Sequence, residues 1–301
     1  MSIYSIKDLE NLSGIKAHTI RIWEQRYGIL NPNRTDSNIR TYDDDELKKV
    51  LNIALLQEKG NFKISKIAKM SEEEISKEIL KLSETILSNS DQVKAISIAM
   101  LDMDENKFQK ISNNIINKEG FENYILEIIY PFLSRLGTLW LSGTVGPAQE
   151  HFITHLIRQK IIGEIDSIQK DTIKELPKFI LYLPEGELHE ISLLFAYFIL
   201  KKRGFTVYYL GQSLPFDELV LANNICKPDY ILSVFTSVPN PNEINDYLQR
   251  LSKELTNTQV MVSGYQILHS NLIIPSNIKI LPSFDELVSI AEELAISSNV
   301  R

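Results

Sequence analysis

Apolar residues at the start of the chain recur at helical spacing. Three of them fall on one face of a predicted helix over residues 5–13: Ile6, Leu9 and Leu12. Ser5 stands at the N-cap position of this helix, and Ser13-Gly14 ends it. A second helix is predicted from about residue 16 to residue 27. Two short helices joined by a tight turn that contains glycine are typical of a helix-turn-helix.

The segment after these helices predicts a β-wing. Residues 28–38 are rich in turn-forming residues, and the chain then returns through Arg40-Thr-Tyr42. Acidic residues at 43–45 can cap the next predicted helix, which runs to about residue 58. Further helices are predicted over 63–80. The pattern over residues 1–80 therefore predicts a winged helix-turn-helix.

Between residues 92 and 168 the pattern is wholly helical. Apolar residues at spacings of three and four mark one long helix: Phe121, Ile125, Ile128, Ile129, Phe132 and Leu136. The next helix continues the stripe through Phe152, Leu156 and Ile157. Four such helices predict a bundle, which we assign to a domain over 90–170.

Beyond Lys178 the period changes from helical to β. Five short β-rich runs alternate with helical stretches: 179–183, 206–210, 230–234, 260–263 and 278–281. This alternation predicts a five-stranded parallel α/β domain over 176–301, Rossmann or flavodoxin-like, whose ligand site lies beyond the carboxyl ends of the strands. The whole pattern predicts an α + α/β multidomain protein, with linkers near 82–91 and 168–177.

Composition is that of an ordinary soluble protein. Apolar residues make up 44% of the chain and charged residues 24%. No stretch approaches the roughly 18 apolar residues of a membrane span, and the first residues lack the pattern of a secretory signal. We therefore expect a cytoplasmic protein without membrane contact. The single Cys226 excludes an intramolecular disulfide framework.

Charge is unevenly distributed along the chain. The formal net charge is −7, but residues 1–42 hold six basic and four acidic residues, so this segment carries +2 and the remainder −9. A small positive module on an acidic body would bind DNA weakly as a monomer, because neutralised phosphates supply most of the sequence-independent affinity. We therefore expect a homo-oligomer, either a dimer or a tetramer.

The second predicted helix and the wing carry the candidate DNA contacts. In a helix-turn-helix the second helix enters the major groove. Its candidate contact residues are Lys16, His18, Thr19, Arg21, Ile22, Arg26 and Tyr27. On the wing, Arg34, Arg40 and Tyr42 would contact the flanking DNA backbone. A plainer interpretation stays open, in which the arginines form a solvated face and the aromatic residues are core.

A longer pattern joins these residues. It consists of Thr-Ile-Arg, an aromatic residue, Glu, then a wing with Gly, Pro and Arg, and finally Arg-x-Tyr. In this chain the pattern reads Thr19-Ile20-Arg21, Trp23, Glu24, Gly28, Pro32, Arg34, Arg40 and Tyr42. Over residues 3–75 it resembles the MerR family of winged-helix regulators. The family usually has a wing glycine where Asn38 stands, and asparagine also accepts left-handed backbone angles. The resemblance implies binding of double-stranded operator DNA as a dimer.

A histidine follows the first predicted strand of the α/β region. His189 precedes the helix that begins near Ile191, where a doubly wound sheet presents its ligand contacts. Neutral imidazole is a good donor to cobalt, and the neighbouring Glu187 could fix its tautomer. The alternative is that His189 is an ordinary surface residue.

Three short motifs around this histidine keep a fixed spacing. Glu187-x-His189-x-x-Ser192 is followed after 40 residues by Ser233-x-Phe235, and after 27 more by Ser263-Gly264. The series is similar to cobalamin-binding domains with acid-x-His-x-x-Gly, Ser-x-Leu and Gly-Gly. The resemblance implies a cobalamin site with His189 as the cobalt ligand. Ser192 and Ser263 replace glycines that let the nucleotide tail of the cofactor pass close to the backbone.

The helical region carries a related motif. Trp140, nine residues and Glu150-His151 resemble the cap of CarH-type light-responsive repressors, where these residues cover the upper face of adenosylcobalamin. Alternatively, Trp140 is bundle core and Glu150-His151 a polar helix face. His151 and His155 could also chelate a metal, although the sequence offers no third ligand. Leu141 replaces the histidine that captures cobalt after photolysis in the light-sensing members, so their bis-histidine photoproduct cannot form here.

Both halves together indicate a DNA-binding transcription regulator. We expect a repressor whose oligomeric state and operator binding respond to a cobalamin-type sensor, with a light response as a further possibility. One alternative is a cofactor-free regulator whose degenerate cobalamin fold serves oligomerisation or a regulatory protein partner. The other is a corrinoid enzyme or methyl carrier, which the DNA module and the absence of a catalytic domain of the usual size disfavour. No catalytic residue is predicted.

Overall fold

The computed structural model describes residues 4–35, 38–58, 62–75, 78, 89–141, 146–169, 173, 176–239, 243–270 and 272–299. The chain divides into two compact units, residues 1–156 and residues 157–301. The predicted fold classes are confirmed: the first unit holds a helix-turn-helix with a wing and most of a helical bundle, whose last helix continues into the second unit, and the second unit holds a parallel α/β sheet. The predicted division into three domains stays a prediction.

The described residues of the amino-terminal module form short and long helices and a two-stranded wing, and residues 72–75 are also helical. Its elements are α1 (Ile6–Ser13), α2 (Ala17–Tyr27), β1 (Asn33–Arg34), β2 (Arg40–Thr41), α3 (Asp44–Glu58) and α4 (Ile64–Ile67). Ser5 and Asp8 form a reciprocal capping box that starts α1. Gly28 ends α2 with a φ of 61°, and Asn38 has a φ of 63° in the wing. The left-handed backbone expected of Asn38 is therefore present.

Helix α3 is buried over a continuous run. Residues 50–56 are all buried, whereas a helix covered on one side would alternate buried and exposed positions. Helix α3 packs against α1 and also against α5 (Asn89–Leu101) of the bundle. Lys48 of α3 lies 2.6 Å from Asp102 at the end of α5. The helix therefore belongs to two packed layers of the same unit.

The bundle consists of four long helical stretches. After α5 come α6 (Glu105–Glu119), α7 (Phe121–Asn123) with a π-helical segment (Tyr124–Ile129) that continues into α8 (Tyr130–Leu141), and α9 (Pro147–Ser167). The six apolar residues of the predicted stripe, from Phe121 to Leu136, are all buried. Pro131 lies two residues after the end of the π-helical segment and lacks the N–H that a regular helix would use, which accounts for a break in the helical hydrogen bonds near this point.

The second unit contains a five-stranded parallel sheet in the order β4-β3-β5-β6-β7. In chain order its elements are β3 (Lys178–Pro184), α10 (Ile191–Lys202), β4 (Thr206–Leu214), α11 (Phe216–Cys226), β5 (Tyr230–Val234), α12 (Ile244–Glu254), β6 (Gln259–Ser263), α13 (Tyr265–His269), β7 (Ile278–Ile280) and α14 (Phe284–Asn299). All five predicted strands are confirmed. The strand order reverses between β3 and β5, which is where a doubly wound sheet opens a crevice for ligands.

The sheet is buried on both faces, as parallel sheets usually are. Residues 179–183 of β3 are all buried. On one side Phe195 of α10 contacts Phe284 of α14 with the ring centroids 5.1 Å apart. On the other side Tyr247 of α12 packs edge-on against Phe235 and Phe216. In the described part of the chain, no helix combines the length and the apolarity that crossing a membrane requires.

Candidate functional sites

Helix α2 presents a polar face opposite its core face. Ile20 and Trp23 are buried, as the plainer interpretation of the sequence expects. The exposed residues at and along α2 are Lys16, His18, Arg21, Ile22, Gln25 and Arg26. Thr19 and Tyr27 are half-buried, and the Arg26 guanidinium lies 5.6 Å from the centre of the Tyr27 ring. The candidates for major-groove contact therefore share one accessible surface.

The start of α2 is fixed by a residue of α1. The Glu10 carboxylate accepts hydrogen bonds from the Lys16 ammonium at 2.9 Å and from the Ala17 amide at 3.1 Å. The hydrogen bond from Lys16, and to a smaller extent the one from the Ala17 amide, hold the pKa of the Glu10 carboxyl below its ordinary value of 4.5. The Lys16 side chain does not cap α2, so Glu10 supplies the acceptor for the first amide of the helix and orients α2 on α1.

The wing residues divide into exposed and enclosed side chains. Arg34 is exposed and donates to the Asn38 side chain at 2.6 Å. Arg40 is half-buried, and its Nε donates to both Glu24 carboxylate oxygens at 3.1 and 3.0 Å. This contact ties the wing to α2. Of the two wing arginines, Arg34 is therefore the more available to DNA.

The predicted DNA contact of Tyr42 needs correction. Its side chain is 1% exposed, and its backbone pairs with Tyr4 through hydrogen bonds of 2.8 and 2.9 Å. Burial raises the pKa of the Tyr42 phenol to about 12. The phenol is thus enclosed in the core of the module and cannot reach a phosphate in this conformation.

The loop after β3 is organised by one buried carboxylate. Glu187 is fully buried, and its Oε1 accepts from the Leu188 amide at 2.9 Å, the His189 amide at 3.0 Å and the His189 Nδ1 at 2.5 Å. Its Oε2 accepts from the backbone amides of residues 236–238, after β5, at 3.1, 2.7 and 3.0 Å. One side chain thus joins the two loops that flank the crevice.

These contacts determine the ionisation of Glu187 and the tautomer of His189. Burial of the Glu187 carboxyl opposes ionisation, but the hydrogen bonds from His189 and the loop amides outweigh it and hold the pKa well below 4.5. A carboxylate accepts only, so Nδ1 of His189 carries the proton. A metal would therefore be coordinated through Nε2, and the His189 side chain is 62% exposed.

The other residues of the three motifs differ in burial. Ser192 is half-buried in the first turn of α10. Ser233 is fully buried in β5; among the described residues its hydroxyl has no hydrogen-bond partner of good geometry. The Ser263 hydroxyl donates to a backbone carbonyl just after β7 at 2.8 Å. Gly264 has a φ of 103°, and a Cβ there would lie 2.4 Å from the Phe235 carbonyl oxygen, so only glycine fits.

The residues of the predicted cap are placed in part. Trp140 and Leu141 lie in α8, and their side chains fall outside the described residues. Glu150 is half-buried and contacts the exposed His151 at 2.7 Å. The ring centroids of His151 and His155 are 6.3 Å apart. No cluster of three or more metal-binding side chains occurs among the described residues, so a chelate by these two histidines has no third described ligand.

The Glu187–His189 pair fits the lower ligand of a corrinoid. It supplies an exposed imidazole with a fixed tautomer, and the buried Ser233 lies near the end of the neighbouring strand β5. Ser192 and Ser263 stand where the motif has glycines, and the Ser263 hydroxyl is bound to the backbone after β7. The donor chemistry of the Glu187–His189 pair therefore fits a ligand of cobalt.

Sequence reasoning missed the long-range partners of this loop. The amides of 236–238 are 49 to 51 residues from Glu187, and no local pattern marks them. A second missed group follows His189. Glu190 accepts from Arg158 of α9 and, at 3.0 Å, from the Tyr209 phenol of β4. These contacts hold the start of α10 on the sheet.

Comparison with known proteins identifies two domains in this chain. The sequence-family model named MerR HTH family regulatory protein matches residues 4–74. The family model named B12 binding domain matches residues 92–162. The chain therefore contains a MerR-type helix-turn-helix domain and a B12 binding domain.

Two curated relatives match most of this chain. The chain is homologous to the HTH-type transcriptional repressor CarH of Myxococcus xanthus, with 26% identity over 84% of this chain and 85% of the relative. It is 27% identical to the repressor CarA of the same organism, over 98% of each chain. In fold, it resembles the monomethylamine corrinoid protein of Methanosarcina barkeri, with a TM-score of 0.54 and 13% identity over 68% of this chain and 99% of that protein.

Proposed function

We propose that this protein is a transcriptional repressor whose self-association, and through it operator binding, is controlled by cobalamin bound at His189. The observation that carries the proposal is the buried Glu187 carboxylate, which presents His189 with a fixed tautomer in a chain that also has an exposed, basic recognition helix. The names of the relatives CarH and CarA support the repressor role.

The DNA side of the proposal rests on exposed charge. Lys16, Arg21 and Arg26 of the α2 face and Arg34 of the wing would contact the phosphates or base edges of a duplex. His18 and Thr19 lie on the same surface. One module offers few phosphate contacts, so a monomer would bind weakly. Assembly of two or four copies would multiply these contacts, which is how the sensor would act on the operator.

On the sensor side, His189 Nε2 would be the lower ligand of cobalt and Glu187 would keep Nδ1 protonated. Ser192, Ser233, Ser263 and Gly264 would line the cofactor site in the second unit. The resemblance of their motif makes Trp140, Glu150 and His151 further candidates for contact with the cofactor. Bound adenosylcobalamin would supply a cobalt–carbon bond that light can break. Since Leu141 follows Trp140, a light response would have to work without a second histidine at this position.

The first experiment is gel filtration after dark incubation with adenosylcobalamin, recorded at protein and corrin wavelengths and repeated after green illumination. We expect the corrin to co-elute with the protein and the oligomer to change in size. His189→Ala should abolish or alter the corrin spectrum of the eluted protein. An unchanged spectrum in that variant would remove His189 from the cobalt.

The DNA side is tested with a duplex selected by the protein itself from a random-sequence pool. Arg21→Ala should weaken binding of that duplex by about 10-fold, because one charge-assisted contact to phosphate or base is lost. Lys253→Ala removes the same charge from the exposed surface of α12 and serves as the matched control. Equal effects of the two variants would argue against a specific role for α2.

A second candidate is a cofactor-free regulator whose α/β unit serves oligomerisation or a protein partner. Ser192 and Ser263 in place of motif glycines favour it, since the Ser263 hydroxyl is already engaged with the backbone after β7. Its signature would be binding of the selected duplex without any co-eluting corrin. A corrinoid methyl carrier would instead turn over a methyl donor and select no DNA.

A further inference from the structure

The amino-terminal module exposes large apolar side chains in two places. Among its described residues, 4–35, 38–58 and 62–75, these are Ile22, which is 49% exposed, and Ile39, which is 60% exposed. Ile22 lies in α2 and Ile39 precedes β2 of the wing. A single exposed apolar residue needs no special explanation. Here, however, both stand on the elements that are proposed to meet DNA, and no other large apolar residue is exposed among the side chains of this module that the structure describes.

Ile22 lies within the polar face of α2. It follows His18 by one helical turn and precedes Gln25 by three residues, so the three side chains form one row. Arg21 and Arg26 flank this row and are also exposed. Ile20 and Trp23 point into the core instead, so Ile22 contributes nothing comparable to the packing of the module. An apolar group is thus held among potential hydrogen-bond donors.

The major groove displays one apolar group, the C5 methyl of thymine, among hydrogen-bond donors and acceptors. Charged and amide side chains read the donors and acceptors, while an aliphatic side chain can pack only on the methyl. We propose that Ile22 contacts thymine methyl groups in the operator and makes thymine a preferred base at the positions beneath it. This inference rests on the proposed function and adds a specificity determinant to the same helix.

Ile39 provides an internal control. The wing is proposed to contact the flanking backbone, and the minor groove does not display the thymine methyl. Truncating Ile39 can therefore change the affinity for DNA, but it should not change the loss of affinity that follows removal of a thymine methyl group. Only truncation of the side chain that touches this methyl should change that loss.

The test uses the full-length protein and a duplex selected from a random-sequence pool. Each thymine of the selected site is replaced in turn by deoxyuridine, which lacks only the C5 methyl, and binding is measured by fluorescence anisotropy at fixed salt. We expect a loss of about 3- to 5-fold at one or two positions, the size expected for one buried methyl group. Ile22→Ala should weaken binding of the thymine duplex by a similar factor.

The combination of the two changes is decisive. In Ile22→Ala the deoxyuridine penalty should vanish, so the two losses should not add. Ile22→Val, which keeps a branched side chain, should retain part of the penalty, and Ile39→Ala should retain all of it. Because Ile22 is exposed, these variants should fold normally, which circular dichroism would check.

Two results would overturn the inference in distinguishable ways. A selected duplex that loses no affinity with deoxyuridine at any position, or a penalty that Ile22→Ala leaves unchanged, would remove Ile22 from the thymine methyl while the proposed regulator stands. Failure of the protein to select any DNA would overturn the proposed function and the inference together.

Discussion

The α2 face and the His189 loop are built in opposite ways. The α2 face leaves most of its cations exposed, and their positions follow from the geometry of one helix. The His189 loop depends on one fully buried carboxylate that accepts from six N–H groups and from the Ser237 hydroxyl, donors that come from its own loop and from the loop after β5. A cationic side chain can approach a DNA phosphate from many directions. A metal, in contrast, requires one particular ring nitrogen of a histidine, with the proton held on the other nitrogen. The two surfaces thus differ in how much structure their chemistry demands.

Of the changes that distinguish the His189 loop from the α2 face, removal of the buried Glu187 carboxylate should have the largest effect. Glu187→Ala leaves the amides of 236–238 and of the His189 loop without their acceptor, and we expect a loss of about 3 kcal/mol in the stability of the second unit. Denaturant unfolding, with hydrogen exchange of residues 230–239, would measure it. Glu185→Ala alters an exposed neighbour and should change stability by less than about 0.5 kcal/mol. Equal losses in both variants would contradict the central role of Glu187.

The same carboxylate predicts a pH dependence. The folded pKa of Glu187 lies below its unfolded value near 4.5, so the unfolded chain binds more protons than the folded chain in this range. The contribution of the Glu187 carboxylate to the stability of the folded protein is therefore complete above pH 4.5. It should be lost progressively as the pH falls from about 4.5 toward the folded pKa. Glu187→Gln should flatten this part of the stability curve, as measured by urea unfolding between pH 3 and pH 7. Parallel curves for the two proteins would show that other groups carry the dependence.

The two wing arginines should separate stability from DNA affinity. Arg40→Ala leaves Glu24 half-buried without its partner and should cost about 1 kcal/mol in urea unfolding. Arg34→Ala should leave stability unchanged but weaken duplex binding and reduce the salt dependence by about one counterion per protomer. Anisotropy titrations at several salt concentrations would measure the second effect. If Arg40→Ala alone changed the salt dependence of duplex binding, Arg40 rather than Arg34 would be the DNA contact.

Tyr42→Phe should have the smallest effect. In the described structure the buried Tyr42 hydroxyl has no hydrogen-bond partner, so its removal should change the free energy of unfolding by less than about 0.5 kcal/mol. Duplex affinity should be unchanged, because the phenol is enclosed in the core. A clear loss of affinity would restore Tyr42 to the DNA surface and show that the wing opens on binding.

Periodicity predicted the features that depend on local geometry. The five strands, the buried stripe from Phe121 to Leu136 and the exposed side of α2 all follow from side-chain spacing within one element. Tyr42 could not be placed in this way, because its burial depends on pairing with Tyr4, 38 residues earlier. The sequence predicted that Glu187 could hold His189, but not the three amides from the loop after β5. Those contacts exist only once the parallel sheet has brought the two loops together.

The continuous burial of residues 50–56 in α3 has a consequence for protein engineering. A DNA-binding segment cut after residue 80 would leave the α5-facing side of α3 in water, so it should aggregate or unfold when grafted onto another sensor. A hybrid regulator would need to take α5 with it, or replace the apolar residues on that side of α3 by polar ones. The transferable part of this protein therefore extends beyond the part that would touch DNA.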